Sequence, residues 1–444
     1  MPKPFHLNAF VMGVGHHEAA WRHPRTTASD VLDVEHFQHI AQIAERGRLD
    51  SIFFADGVAV GPRVENNVQA VFEPVTLLSA IAAVTEHIGL IATASTTYNE
   101  PYTLARKFAS LDRISKGRAG WNIVTSAGER EAANYGLEAV PEHARRYARA
   151  DEFVEVALKL WSSWDDDAVR LDAESGQFTA PGSVRPIDHE GTHFRVAGPL
   201  NVPRSAQGRP LLVQAGSSES GKDFAAKYAE AVFTAQRTIE DGRDFYRDLK
   251  ARVAGHGRSA DELAILPGLV PFIAPTQAEA DELEDEFTRL IAPQYALSQL
   301  SQMLGVDLRE HPLDEQLPPL PDVARVEGGK SRFELVKALA EAEQLTLRQL
   351  IGKLGGGRGH RTLAGTPERI ADDLIAWVEG GAADGFNIMP PYLPGGLEDF
   401  VDHVVPILQE RGYLRREYEA TTLRGHYGLP DLTGTPSGLE TASA

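Results

Sequence analysis

The chain contains no cysteine at all. Disulfides, thiolate nucleophiles and zinc–thiolate sites are therefore excluded outright. It also lacks any apolar run approaching the roughly 20 residues of a membrane span, and its first residues, MPKPFHLNAF, lack the apolar core of a signal peptide. Positive charge is scarce: 44 Lys and Arg stand against 63 Asp and Glu, a formal net charge of −19. Nucleic acid and anionic membranes both need a basic surface, so neither is expected as a partner. No G-x-G-x-x-G occurs. The glycine cluster at 355–359 comes nearest but follows a helical stretch rather than a strand, which argues against a Rossmann dinucleotide site. These absences leave a cytoplasmic enzyme as the expectation.

What is present is a rhythm. Short β-rich runs alternate with longer stretches of helical period. FHLNAFVM (5–12), LDSIFFAD (49–56), IGLIATAS (88–95) and AGWNIVTS (119–126) are each followed by a helical segment, and so are PLLVQAG, AVFTAQ, ILPGLVPFIA and GFNIMPP. Eight near-continuous apolar strands joined by helices imply a parallel sheet covered by helices. Eight such units point to an α/β fold, a closed (β/α)8 TIM barrel, although periodicity alone leaves an open sheet possible. A bare barrel takes roughly 250 residues, so the 444 here leave room for insertions. These are expected at 165–209 and 293–365, as lids or functional loops, in a single domain over 1–428 with a flexible tail at 429–444.

In such a barrel the active site lies at the C-terminal ends of the strands. That rule selects the segment after Asn8, Phe54 with Asp56, Thr93 with Ser95, Asn122, and Gly216 to Ser218. GSSESGKD (216–223) nearly matches a P-loop but ends in Asp223 instead of a magnesium-binding hydroxyl. What survives is a glycine and two serines, Ser217 and Ser218, at a helix N-terminus, an arrangement suited to a phosphate; a plain serine cap is the alternative. His143 and Tyr147 lie four apart at the start of the fourth helix and share a face. GVGHHEAAWRHP (13–24) carries three histidines, yet adjacent His16 and His17 on an extended segment point in opposite directions, which disfavours a shared metal. No metal is expected.

FFADG (53–57), STTYNEPYTLARKFASLDRISKGRAGWNIVTS (95–126), HARRYARADEFVEVALKLWSSWDDDA (143–168), GPLNVPRSAQGRPLLVQAGSSESG (198–221) and GTPERIADDLIAWV (365–378) together resemble the nitrilotriacetate monooxygenase and dibenzothiophene-sulfone monooxygenase group of the bacterial-luciferase-like flavin monooxygenases. The resemblance spans roughly residues 5–428. It implies reduced FMN and O2 as co-substrates and a separate NAD(P)H:flavin reductase as partner. It also implies a homodimer or homotetramer, and oxygenation by a flavin (hydro)peroxide of a small nitrogen- or sulfur-containing compound, with C–N or C–S cleavage. Carried over by position, Ser217 and Ser218 would hold the FMN phosphate. His143, Tyr147, Asp56 and Thr93 would line the flavin site. His17 and Asn122 would be catalytic, His17 for proton transfer and Asn122 for orienting oxygen. Phe54, Trp21 and, from a mobile lid, His311 would meet substrate. Arg22, Arg63 and Arg118 could bind substrate carboxylates, whereas Phe5, Phe10, Phe54 and Trp21 would suit an aromatic substrate. A deazaflavin-dependent oxidoreductase of the same fold, or a non-catalytic flavin-binding barrel, are the rival readings.

Overall fold

A computed structural model of the chain describes residues 4–61, 64–66, 68, 71–322, 330–357 and 359–432. Eight parallel strands run β1 His6–Val11, β2 Ser51–Phe54, β3 Gly89–Ser95, β4 Ala119–Val124, β5 Leu211–Gln214, β6 Ala231–Thr234, β7 Ala264–Ile273 and β8 Gly385–Ile388. Each pairs with the next from β1 to β7, apart from the last turn of the ring, where β7 pairs with β8 and β8 with β1. The β6–β7 pairing, Ala231 opposite Ala264, completes the closed barrel.

Strand alternation explains the two-layered core. In β1, Leu7, Ala9 and Val11 face the surrounding helices and join their apolar cluster, while Phe10 packs with the residues filling the barrel. The helices that cover the strands include α1 Val34–Arg46, α2 Pro74–Ala82, α3 Pro101–Ile114, α4 His143–Trp161, α5 Glu219–Tyr228, α6 Ile239–Gly255 and α7 Gln277–Arg289. Several start on side-chain caps: Asp33 accepts from Glu35 N, Thr238 from Asp241 N, and Thr276 with Glu279 forms a capping box.

The two insertions differ in place. Residues 165–209 follow the C-terminal end of α4 and so emerge at the N-terminal ends of the strands, far from the expected active-site face. They form two short hairpins, Val169–Asp172 with Gln177–Thr179 and His189–Glu190 with Arg195–Val196. Ser205 and Gln207 then run beneath the barrel to bond buried Asp112. This insertion is therefore no lid. In the second, helices Pro293–Leu304, Lys330–Glu343 and Leu347–Gly357 share an apolar cluster of their own, which Ala19 of the first strand's loop joins. It ends sooner than expected, because Arg361–Gly365 is a strand paired with Leu269–Ile273 of β7.

The C-terminal segment also corrects an expectation. Leu423 and Tyr427 enter the bottom of the barrel, Leu423 against Gly89 and Gly120 and Tyr427 stacked on His6 at 4.5 Å. Leu429 is buried, Pro430 O accepts from Arg424 at 2.9 Å, and Leu432 O accepts from Arg204 at 2.8 Å. The order continues through 432, past the expected boundary of the tail; residues 433–444 of that tail lie outside the described residues. Among the described residues no helix is long and apolar enough to cross a membrane.

Candidate active site

Thr93 and Asn122 are register partners on β3 and β4, and both are buried. Asn122 Nδ2 donates to Thr93 Oγ1 at 2.9 Å, and Thr93 Oγ1 donates to the carbonyl of Phe54 at 2.8 Å. This relay ties three strand ends together and leaves Asn122 Oδ1 buried without a hydrogen-bond partner among the described residues. An unsatisfied buried acceptor costs about 1–3 kcal/mol, and such atoms call for a ligand. Tyr98 Oη, just beyond β3, is buried and unpartnered in the same way, its ring stacked on Tyr135 at 4.6 Å. The sequence signal for Tyr98 is its place just past the C-terminal end of β3.

At the end of β5 the chain turns through Gly216 into α5. Ser218 caps that helix, its hydroxyl accepting from Gly221 N at 3.1 Å. Ser217 beside it is exposed. Tyr147 reaches over from α4 and stands 4.7 Å ring to ring from His143. A Cβ on Gly216 or Gly221 would lie 3.2 or 3.0 Å from Tyr147 Oη, so two glycines make the space in which the phenol meets the α5 N-terminus. Tyr147 of α4, with His143 beside it, thus meets the α5 N-terminus that Ser218 caps. Asp56 is half-buried past β2. Burial raises its pKa, and the neighbouring carboxylates Glu73 and Glu131 raise it further, against a bond from Gly57 N–H.

The three histidines of the loop after β1 have different surroundings. His16 is fully buried and donates from Nε2 to the Phe10 carbonyl at 2.9 Å, a supporting contact. His23 stacks on Phe287 at 3.9 Å and meets Glu286 at 3.2 Å, as scaffolding. His17 is 2% exposed, packs 5.2 Å from Phe287, and accepts from Ala19 N at Nδ1. With Nδ1 accepting, the neutral ring carries its proton on Nε2.

His17 borders a cavity of about 540 Å3 that opens at the ends of β1 and β2. Trp21 and Phe54 line it. Phe54 faces away from the barrel axis toward Phe37 of α1, so it forms an outer wall rather than the floor.

Other residues fall elsewhere. His311 donates to the Gln316 carbonyl at 3.0 Å within the second insertion and is absent from the cavity wall. The histidine of this insertion that packs on the barrel is His360, which lies flat on Phe233 of β6 at 4.7 Å; a Cβ on Gly268 would sit 2.5 Å from its Nδ1. Nothing in GGGRGHRT marked it. Arg118 is buried at the other end of the barrel, donating to the carbonyls of Ala82, Thr85, Ile88 and Ser115, so it is structural. Arg22 is exposed and bonds the Leu290 carbonyl. Phe5 packs in the outer core with Phe386 and Tyr413, and Phe10 inside the barrel on Phe53, so neither lines the cavity. Arg63 lies outside the described residues. Among the described residues no cluster of His, Asp or Glu could hold a metal ion.

Comparison with known proteins agrees with this geometry. The chain is 49% identical over 428 residues to the N-acetyl-S-(2-succino)cysteine monooxygenase of Bacillus subtilis (strain 168), covering 96% of this chain and 97% of that protein. It is 48% identical over 428 residues to nitrilotriacetate monooxygenase component A of Aminobacter aminovorans, covering 94% of each. The solved EDTA monooxygenase of Chelativorans sp. BNC1 superposes with a TM-score of 0.83 at 37% identity, covering 97% of this chain and 99% of that one. Residues 12–384 match the model of the luciferase-like monooxygenases, and the chain belongs to that family.

Proposed function

We propose that the chain is the oxygenase component of a two-component monooxygenase that takes reduced FMN from a separate NAD(P)H:flavin reductase. Its substrate in this reading is a small nitrogen- or sulfur-containing compound, cleaved at a C–N or C–S bond. The observation that carries the reading is the buried, unpaired Oδ1 of Asn122, set between the Tyr147–Gly216–Gly221 cradle and the His17 cavity. The residues fit a flavin mononucleotide: an anion seat at a helix N-terminus, small residues beside it, and unsatisfied polar atoms toward the barrel axis.

When bound, reduced FMN supplies two electrons to O2, so that one oxygen atom enters the substrate and the other leaves as water. The chain's residues do the rest. Ser217, Ser218 and the α5 N-terminus bind the phosphate, with His143 and Tyr147 closing over it. Asp56 and Thr93 hold the polar edge of the flavin. Asn122 accepts a hydrogen bond at Oδ1 and fixes the reacting face. His17, with Nε2–H in its neutral form, would donate a hydrogen bond where negative charge develops, and as imidazolium it would pass a proton there and return to neutral imidazole, a couple suited to transfer near neutral pH. Lid and apolar walls exclude water. Cytoplasmic location and assembly as a homodimer or homotetramer belong to the same proposal.

The test is FMN binding by fluorescence quenching, followed by oxygen uptake with a flavin reductase over sulfone, thioether, amine and polycarboxylate substrates. Binding with substrate-stimulated uptake supports the reading. Absence of both would sink it, and turnover only with reduced deazaflavin and no oxygen would replace it.

A further inference from the structure

We propose, resting on the reading above, that Met12 is an internal oxygen acceptor: when no substrate occupies the cavity, its thioether sulfur is oxygenated to the sulfoxide. Cysteine is absent and only four methionines occur, so these carry all the sulfur of the chain. Of the three among the described residues, Met12 alone lines the cavity beside His17. It is half-buried and directly follows β1, where the alternation that turns Phe10 into the barrel turns Met12 to the same side. Val11, Val14, Phe54 and Leu77 line the same space.

The other two described methionines sit elsewhere. Met389, past β8, is 1% exposed and belongs to the apolar cluster that fills the barrel; a Cβ on Gly268 would stand 2.7 Å from its Sδ. Met303 lies on the helix Pro293–Leu304, packed against the apolar cluster of the second insertion, and is absent from the cavity wall. Met12 and Met303 are both half-buried. Position, and not exposure, is what separates them.

The step needs no reagent beyond those of the reaction proposed above. Methionine ends in a methyl thioether, the functional group of the thioethers in the substrate panel, and its sulfur is soft and polarisable. Two electrons and two protons come from reduced FMN, and two further electrons come from Sδ. The O–O bond breaks; one oxygen forms the new S–O bond and the other leaves as water. Reduced FMN, O2 and thioether thus give oxidised FMN, sulfoxide and water. A substrate in the cavity competes for the same oxygen atom, so the sulfoxide forms in idle turnover. Oxidation replaces a flexible apolar side chain of the wall by a polar, chiral one, and methionine sulfoxide reductases reverse it.

The test turns over the full chain with FMN, a flavin reductase and NAD(P)H under isotopically heavy O2, without substrate and with catalase to destroy peroxide that escapes. Trypsin then releases residues 1–22 as one peptide, because Lys3 precedes a proline, and its fragment masses separate Met12 from Met1 and Trp21. Met12 is expected to carry the heavy oxygen at least about tenfold more than Met303, the advantage of an acceptor held at the site over one reached through solution. Met12→Leu, a swap that keeps apolar volume, is expected to leave this peptide unlabelled, and methionine sulfoxide reductase to strip the label from the wild type. Equal labelling of Met12 and Met303 overturns the proposal, as does label on Trp21 in place of Met12. So does an unlabelled Met12 in a chain that binds FMN and shows substrate-stimulated oxygen uptake. A chain that binds no FMN overturns the monooxygenase reading, and this proposal with it.

Discussion

The two ends of the barrel are built from the same strands, yet they treat buried polarity in opposite ways. At the N-terminal ends, Asp50 is fully buried, accepts from Leu7 N at 2.8 Å, and is paired with Arg415 and His6. Glu230 sits between Arg209 and Arg424 and accepts from Leu212 N at 2.9 Å. Burial alone would raise both carboxyls; the cations outweigh it and hold each at about 2. At the C-terminal ends the balance is reversed. Asn122 Oδ1 and Tyr98 Oη have no partner among the described residues, and burial together with two like charges raises Asp56. At one end the buried carboxylates are paired with cations of the chain, whereas at the other two neutral polar atoms on strand ends have no partner among the described residues. That is the division a barrel of this kind is expected to make, with stability at one end and chemistry at the other.

The comparison can be broken by substitution. Glu230→Ala strands two arginines, one of them buried, and is expected to cost about 3–5 kcal/mol of unfolding free energy, measured by urea denaturation, with FMN affinity of the folded protein unchanged. A large loss of FMN affinity there would erase the division between the ends. Asn122→Ala is expected to do the reverse. Oxygenation should fall by about a hundredfold to a thousandfold, the usual effect of removing one preorganised polar contact, while the melting temperature changes far less than in Glu230→Ala, loss of the bond to Thr93 being offset by removal of the orphaned acceptor. Gly221→Ala places a methyl 3.0 Å from Tyr147 Oη, and FMN should bind about tenfold more weakly, or about 1.4 kcal/mol, in a fluorescence titration.

The smallest effect concerns pH. Asp112 is buried beside Ser205, Ala119 N and Gln207, and burial outweighs those bonds to push it up to about 6. The folded chain therefore holds this proton more tightly than the unfolded one, so the contribution of Asp112 is greatest below about 4 and is lost as pH rises through about 6. Asp50 and Glu230, with depressed values, contribute fully above the ordinary carboxylate range and lose that contribution as pH falls toward 2. Melting temperature against pH should therefore gain slope between 4 and 6 in Asp112→Asn, where the opposing term is removed. An unchanged profile would show that Asp112 titrates normally.

How much of this could be seen in the sequence follows from the same division. The eight strands were legible because parallel strands buried on both faces are near-continuous apolar runs. The strand-end rule then located Thr93, Asn122 and the Gly216–Ser218 turn without any coordinates. Closure was not legible, since it depends on the β6–β7 register, which leaves no periodic trace. Arg361–Gly365 was missed because it extends only the upper half of β7 and follows a glycine cluster. His360 owes its place to contacts with Phe233 and Gly268, distant in sequence, whereas His311, favoured by resemblance, bonds its own neighbour Gln316. Residues 423–432 carry too short a pattern to announce burial; their order comes from the barrel they fill.

That last segment sets a schedule for making the protein. Leu423 seals against Gly89 and Gly120, and Arg424 reaches Glu230 across a separation of 194 residues. On the ribosome, the early strands emerge about 300 residues before the side chain that will stopper them. Until then the lower mouth of the nascent barrel stands open, its apolar lining wet and the Glu230 carboxylate short of one counter-ion. The enzyme's floor is the last part delivered, and a chain halted before residue 423 would have walls and a roof but nothing to stand on.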